Sequence, residues 1–152
     1  MKEANLRPMM NASQFYALSR QLQNAYAAQM RPLCEGTGMA QTAIDILLFL
    51  HNNPGCDTAR DICTYRQLKP ALVSLYVENL VQSGHLRRES VPEDRRKSRL
   101  ILTAQALPVV QKGLAVQTAF TARMLEGLSD EDLAAGQRCL SVINQNIARL
   151  NK

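Results

Sequence analysis

Apolar residues at Phe15, Leu18, Leu22, Ala25 or Tyr26, and Met30 recur in steps of three and four, which predicts an amphipathic helix over residues 11–30. Pro32, Gly36 and Gly38 then read residues 31–38 as a connector. Residues 39–51 are apolar on nearly every side (Ala43, Ile44, Ile46, Leu47, Leu48, Phe49, Leu50), so a second helix there must be the central element of the core. Asn52-Asn53-Pro54-Gly55 ends it. Thr58 with Asp61 three residues on forms a capping box with Asp in place of Glu, opening a short helix over residues 58–65. Residues 66–69 lead into Pro70, a residue suited to the first turn of a helix because its missing N–H costs nothing there. The helix over 70–83 buries Val73, Val77 and Leu80, with Tyr76 or Val81 beside them, and Gly84 stops it. Two short helices joined by a tight turn make a helix-turn-helix unit.

Beyond Gly84 the periodicity shortens. Residues 84–90 and 99–103, the latter alternating at Leu100 and Leu102, are short strands around a polar loop at 91–98, which predicts a β-hairpin. A helix over 104–125 follows, with Pro108 near its first turn. Ser129 caps a last helix whose opening Asp130-Glu131-Asp132 suits the positive helix N-terminus. Its stripe is Leu133, Leu140, Ile143, Ile147 and Leu150, and the spacing of the last four is that of a coiled-coil seam. Such a seam needs a partner, and a second copy of the chain is the natural one. The fold class is therefore mainly α with a small β-hairpin.

Composition narrows the function. The chain has 152 residues, 46% of them apolar, enough for one domain with extensions and too few for a dinucleotide-binding enzyme with a separate substrate domain. The start, Met1-Lys2-Glu3-Ala4-Asn5, lacks the apolar stretch of an export signal, and the longest apolar run, Ile46-Leu47-Leu48-Phe49-Leu50, is too short to span a bilayer. The expectation is a soluble cytoplasmic protein with no membrane partner. Cys34, Cys56, Cys63 and Cys139 are scattered and are expected to be reduced thiols. The net charge is +5, and residues 87–99 alone carry six cations against three carboxylates, a net +3. Arg66 and Lys69 extend that excess into the turn before the 70–83 helix. A basic hairpin directly after a helix-turn-helix is what a duplex-binding winged helix needs, one helix in the major groove and the loop on the flanking backbone and minor groove. A merely solvated charged loop is the bland alternative.

Asp94-Arg95-Arg96-Lys97-Ser98-Arg99-Leu100-Ile101-Leu102-Thr103 resembles the wing signature of the MarR family of bacterial transcriptional regulators: Asp-x-Arg, a few residues, then an apolar-Leu-Thr strand end. Upstream, Leu80 and Gly84-His85-Leu86-Arg87-Arg88 are similar to the family's Leu-x-x-x-Gly-apolar-apolar-x-Arg. The resemblance implies a winged helix-turn-helix with N- and C-terminal dimerisation helices. The expected division is 1–38 for the N-terminal dimerisation helix and connector, 39–103 for the DNA-binding domain, and 104–152 for the C-terminal dimerisation helices. Phe15, Leu18, Leu22, Leu140, Ile143, Ile147 and Leu150 are then the dimerisation residues, and the partner is a palindromic double-stranded operator that the homodimer represses. By the same resemblance Arg96 enters the minor groove and Asp94 pairs with a nearby arginine to shape the loop, while Arg95, Lys97 and Arg99 contact phosphate or only water.

On the recognition helix the solvent side is Lys69, Ala71, Leu72, Ser74, Leu75, Glu78 and Asn79. Here the chain departs from the family: Lys69 stands where a Ser or Thr usually caps, and Leu75 where an arginine or polar residue is common. With no arginine on this face, bidentate reading of guanine is missing. Ala71, Leu72 and Leu75 contact either thymine methyl groups or protein, with Ser74 and Asn79 as hydrogen-bonding groups. Ala106 replaces a common glycine after Thr103, which affects only how the next helix begins.

Regulators of this kind respond to a small amphipathic or phenolic effector, and by position Phe15, Met39, Ala43, Leu47 and His51 are the candidate pocket, against plain core packing. Cys34 is the thiol to weigh as an oxidant sensor, since Arg31 would lower its pKa and Glu35 would raise it. Cys56, Cys63 and Cys139 read as small, buried or half-buried apolar residues. His51, Cys56 and Cys63 lack zinc-site spacing, so no metal is expected, and no cofactor. With only His51 and His85, no glycine-rich phosphate loop and no paired-carboxylate motif, an enzyme is not expected. A winged helix that serves as a protein-interaction module without DNA binding is the remaining rival, kept open by Leu72 and Leu75.

Overall fold

The helix that the sequence marks as apolar all round organises the computed structural model, which describes residues 11–151. Helix α2 (Gln41–Asn52) buries seven consecutive residues, from Ala43 to Phe49. Its Ile44, Ile46, Leu47 and Leu48 meet Met30 and Leu33 of α1 (Ala12–Thr37), Ile62 of α3 (Ala59–Arg66), and Val73, Val77 and Leu80 of α4 (Pro70–Gln82). Leu86 of β1 (Leu86–Val91), Leu100 of β2 (Asp94–Leu102), Ala106, and Val109 and Val110 of α5 (Leu107–Met124) complete that core. Each such side chain withdrawn from water stabilises the fold by about 1.5–3 kcal/mol. The chain divides into two units, one through residue 118 and one from 119 onward, and this core lies wholly in the first.

The helix-turn-helix forms where the spacing places it. The Thr58 hydroxyl accepts from the Asp61 N–H at 3.2 Å, and the Asp61 carboxylate accepts from the Thr58 N–H at 3.0 Å. Gln67 closes α3 in the left-handed region with φ 52°, a conformation few non-glycine residues adopt, and the Leu68 N–H returns to the Cys63 carbonyl. Lys69 is the N-cap of α4 and Pro70 its first residue, but no side chain caps this helix. The β1–β2 hairpin is antiparallel, pairing Leu86 with Leu102 and Arg88 with Leu100, with an irregularity between Ser90 and Val91. The Leu100 N–H also donates to the Asp57 carbonyl at 2.7 Å, tying the wing to the segment before α3.

Three boundaries differ from expectation. Residues 31–37 are not a connector: α1 continues through Pro32 and Gly36 to Thr37, and Gly38 caps it at φ 69°. Burial of Met30 and Leu33 on one face holds the helix across the proline, whose missing N–H forfeits one backbone bond. Cys34 therefore lies on a helix. Most of the expected loop at 91–98 is strand, because only Pro92 and Glu93 turn the chain. Both faces of the outer hairpin are in water, so no apolar alternation marks the pairing there. Third, a 3₁₀ turn (Ala104–Ala106) precedes α5, which begins at Leu107.

Helices α2 and α5 approach closely at Gly113, where an added Cβ would lie 2.9 Å from Leu48 Cδ1. Gly113→Val is therefore expected to destabilise the protein by about 1–3 kcal/mol, since Leu48 is enclosed by core and cannot yield freely. Denaturant unfolding measures this directly; an unchanged midpoint would show that the helices part at no cost.

The second unit holds the end of α5 and helix α6 (Asp130–Leu150). Ser129 and Asp132 form the reciprocal capping box of α6, with the Ser129 hydroxyl accepting from the Asp132 N–H at 3.1 Å. Hydrogen bonds from the Ser129 hydroxyl and N–H hold the Asp132 carboxyl below the usual range. No residue of α6 is buried.

Candidate nucleic-acid interface

Val73, Val77 and Leu80 seat α4 on the core, and this anchoring sets which residues face outward. Lys69, Ala71, Ser74 and Asn79 are exposed, as are Leu72 and Leu75, at 38% and 56%. Glu78 is half-buried. Its carboxylate accepts from Arg88 of β1 at 2.9 Å and from Gln82 at 3.1 Å, and the Arg88 bond, chiefly, holds its pKa below the usual carboxylate range. The solvent face of α4 beyond Lys69 is thus uncharged and carries two exposed leucines.

In the wing, Asp94 accepts from the Arg96 backbone N–H at 3.0 Å and lies 3.9 Å from the Lys97 ammonium. Its expected arginine side-chain partner is replaced by a backbone donor and a lysine; the short turn at Pro92 and Glu93 puts Asp94 at the start of β2, where it reaches back to the chain two residues on. Arg87 pairs with Glu89 at 2.9 Å, and Arg99 lies 3.9 Å from Asp57. Of the six hairpin cations, Arg95 and Arg96 alone lack an ion pair among the described residues, and both are exposed.

Between α3, α4 and the wing runs an open groove of about 770 Å³. Arg60 and Asp61 of α3, Ser74 of α4, Arg88 of β1, and Arg96, Lys97 and Ser98 of β2 line it. Arg60, Arg88 and Ser98 were not among the residues the sequence singled out. Only the folding of the wing beside the first turn of α3 brings them together, and the signal in the chain was the position of Arg60 beside the Thr58–Asp61 cap.

Arg66, expected at the outer face, turns inward. Its guanidinium donates to Asp45 at 3.1 Å, and Asp45 is 7% exposed in the middle of α2. Tyr26 of α1 donates to the same carboxylate at 3.0 Å, and burial, chiefly, pushes the Tyr26 phenol up to about 12. The effector candidates are not assembled on one surface: Ala43 and Leu47 are in the core, Met39 is half-buried against it, and Phe15 and His51 are exposed. Phe15, Leu18 and Leu22 are exposed along α1, and Leu140, Ile143, Ile147 and Leu150 along α6. Burial first, then Asp45 and Glu35, push the Cys34 thiol up. Cys139, expected to be at least half-buried, is exposed, because nothing in the single chain covers α6. No single helix among the described residues is long and apolar enough to cross a membrane.

This arrangement of a core-seated helix-turn-helix followed by a charged two-stranded wing is a winged helix-turn-helix. Its fold is that of the MarR-family transcriptional regulators, and the sequence model of the MarR family matches residues 37–97. The transcriptional regulator PA3341 shares 24% identity with a TM-score of 0.78, over 89% of this chain and 98% of that one. A MarR-family regulator from Silicibacter pomeroyi shares 21% identity with a TM-score of 0.74, over 86% and 87% of the two chains. A putative MarR-family regulator from Listeria monocytogenes, solved in complex with a 26mer DNA, shares 14% identity with a TM-score of 0.76, over 92% and 90%. None of the curated proteins matches the sequence.

Proposed function

We propose that this chain is a homodimeric, sequence-specific DNA-binding transcriptional regulator, acting as a repressor on a palindromic operator and released by a small amphipathic effector. The observation that carries DNA binding is the cationic groove between α4 and a wing whose Arg95 and Arg96 have no carboxylate partner. A helix in a major groove and a wing in the adjacent minor groove must straddle one phosphate backbone. Arg60, Ser74, Arg96, Lys97 and Ser98 line the space that this backbone would occupy. Base reading falls to Ala71, Leu72, Ser74, Leu75 and Asn79, which favours operators rich in thymine methyl groups. Exposure of the whole α6 stripe supports the homodimer.

Selection of bound sequences from a random duplex pool, followed by titration of one selected operator and one random duplex across a salt series, tests the proposal. Log affinity is expected to fall linearly with log salt, by about 0.9 per phosphate contact. Absence of any duplex binding at low salt would instead favour a protein-interaction module, for which the exposed Leu72 and Leu75 are the ready surface.

Thiol chemistry is not the switch in this proposal. A raised pKa keeps Cys34 protonated at neutral pH, and a neutral thiol is a poor target for peroxide. Cys34→Ser is expected to leave both operator affinity and its response to peroxide unchanged. Wild-type binding that peroxide abolishes, with the Ser variant resistant, would assign the sensor to Cys34.

A further inference from the structure

Asp45 is the one polar or charged residue recorded as buried among the described residues. A carboxylate withdrawn from water is costly unless donors surround it, and a well-packed apolar residue in its place is often at least as stabilising. Here three donors converge: Tyr26 of α1 on Oδ1 at 3.0 Å, and Arg66 of α3 and Gln41 on Oδ2 at 3.1 and 3.4 Å. The chain continues outward, because the Gln117 amide of α5 donates to the Tyr26 hydroxyl at 3.1 Å and Asn52 of α2 donates to Gln117 at 3.2 Å. One hydrogen-bonded line thus ties α1, α2, α3 and α5 together. The Tyr26 phenol, pushed up to about 12, remains a donor throughout the ordinary pH range.

The end of that line is the point where the recognition helix begins. Arg66 is the last residue of α3, Gln67 follows in a left-handed conformation, and Lys69 starts α4 without a side-chain cap. The first turn of α4 is held by backbone bonds from Leu72 and Val73 to the Lys69 carbonyl. We propose that Asp45 is a positioning residue for DNA binding, acting through Arg66 to fix the turn that aims the recognition helix. This rests on the DNA-binding reading above. Because Arg66 is spent on Asp45, its role is to set an angle and so to sharpen specificity, while the wing supplies affinity.

The test uses the full chain with Asp45→Asn, Arg66→Gln, the double variant and Arg66→Lys. Asparagine keeps the size of Asp45 and an acceptor for Tyr26 while removing the charge that holds Arg66. Without DNA, the Leu72 and Val73 amides of Asp45→Asn are expected to exchange about ten-fold faster than in wild type, with those of Ile46–Phe49 unchanged. With DNA, the ratio of operator to random-duplex affinity is expected to fall about ten-fold while random-duplex affinity stays within about two-fold. Asp45→Asn should add nothing in the Arg66→Gln background, and Arg66→Lys, which keeps the charge, should retain most of the specificity. Equal loss on both duplexes, wild-type exchange at α4, or a full Asp45→Asn effect without Arg66 would each overturn the proposal alone. Wild-type protein that binds no duplex at low salt would overturn the DNA-binding reading and this proposal with it. If Asp45→Asn does not fold, Arg66→Gln against Arg66→Lys carries the same comparison from an exposed position.

Discussion

Arg96→Ala is expected to weaken binding to every duplex by about ten-fold or more and to lower the salt slope by about 0.9, the share of one phosphate contact. Arg96 combines three properties that no other hairpin cation combines: it is exposed, it has no carboxylate partner, and it borders the groove beside α4. The loss should be greatest on AT-flanked sites, whose narrow minor groove attracts arginine. Arg88→Ala is the control, since Arg88 already neutralises Glu78 and has less charge to offer a phosphate. Asp94→Ala should hurt nearly as much as Arg96→Ala although it removes a repelling charge, because the Asp94 carboxylate holds the Arg96 backbone N–H at the tip. Leu75→Ala should leave the slope unchanged and alter which operator is preferred. One operator and one random duplex measured across a salt series separate these effects. If Asp94→Ala binds tighter than wild type, the wing is a diffuse basic patch and its shape is irrelevant.

Wherever an element has one face in the core, the sequence showed it. The stripes Val73, Val77, Leu80 and Ala43 to Phe49, the capping boxes at Thr58 and Ser129, and Pro70 at the start of α4 all place their elements within a residue or two. What failed to show was structure held by backbone bonds alone or by distant partners. The outer wing pairs its strands in water, so its charged residues carry no alternation. Pro32 and Gly36 argued for a connector because local preference was weighed without Met30 and Leu33, whose burial against α2 overrides it.

The site was legible to the same extent. The exposed face of α4 and the cluster at 94–97 follow from helix phase and charge. Arg60 and Arg88 joined them only through the packing of the wing on α3. Arg66 was placed at the outer face by its position in the turn, yet Asp45, which stands inside the apolar run of α2, draws it inward. A charged residue in the middle of such a run was the available signal, since a buried carboxylate requires a donor from a neighbouring element.

Ile147→Glu is expected to separate the protein into monomers at micromolar concentration and to remove operator binding with it. Helix α6 has 21 residues and buries none of them in the single chain, with Ile143 and Ile147 about half exposed on the seam. A lone helix of this length is marginal in water, and the Ser129–Asp132 box secures only its first turn. A seam of this spacing is stabilised by packing against another helix, and a carboxylate inserted there without a donor costs ~3 kcal/mol. That is on the order of 100-fold in the dissociation constant. DNA binding falls further than this figure alone suggests, because a monomer presents one recognition helix and one wing where the dimer presents two on a shared duplex. The salt slope should therefore drop by about half, and the advantage of joining two half-sites is lost. Leu18→Glu tests the exposed stripe of α1 in the same way. Sedimentation of wild type should show one species near twice the chain mass; an Ile147→Glu protein that remains dimeric and binds the operator normally would place the interface elsewhere.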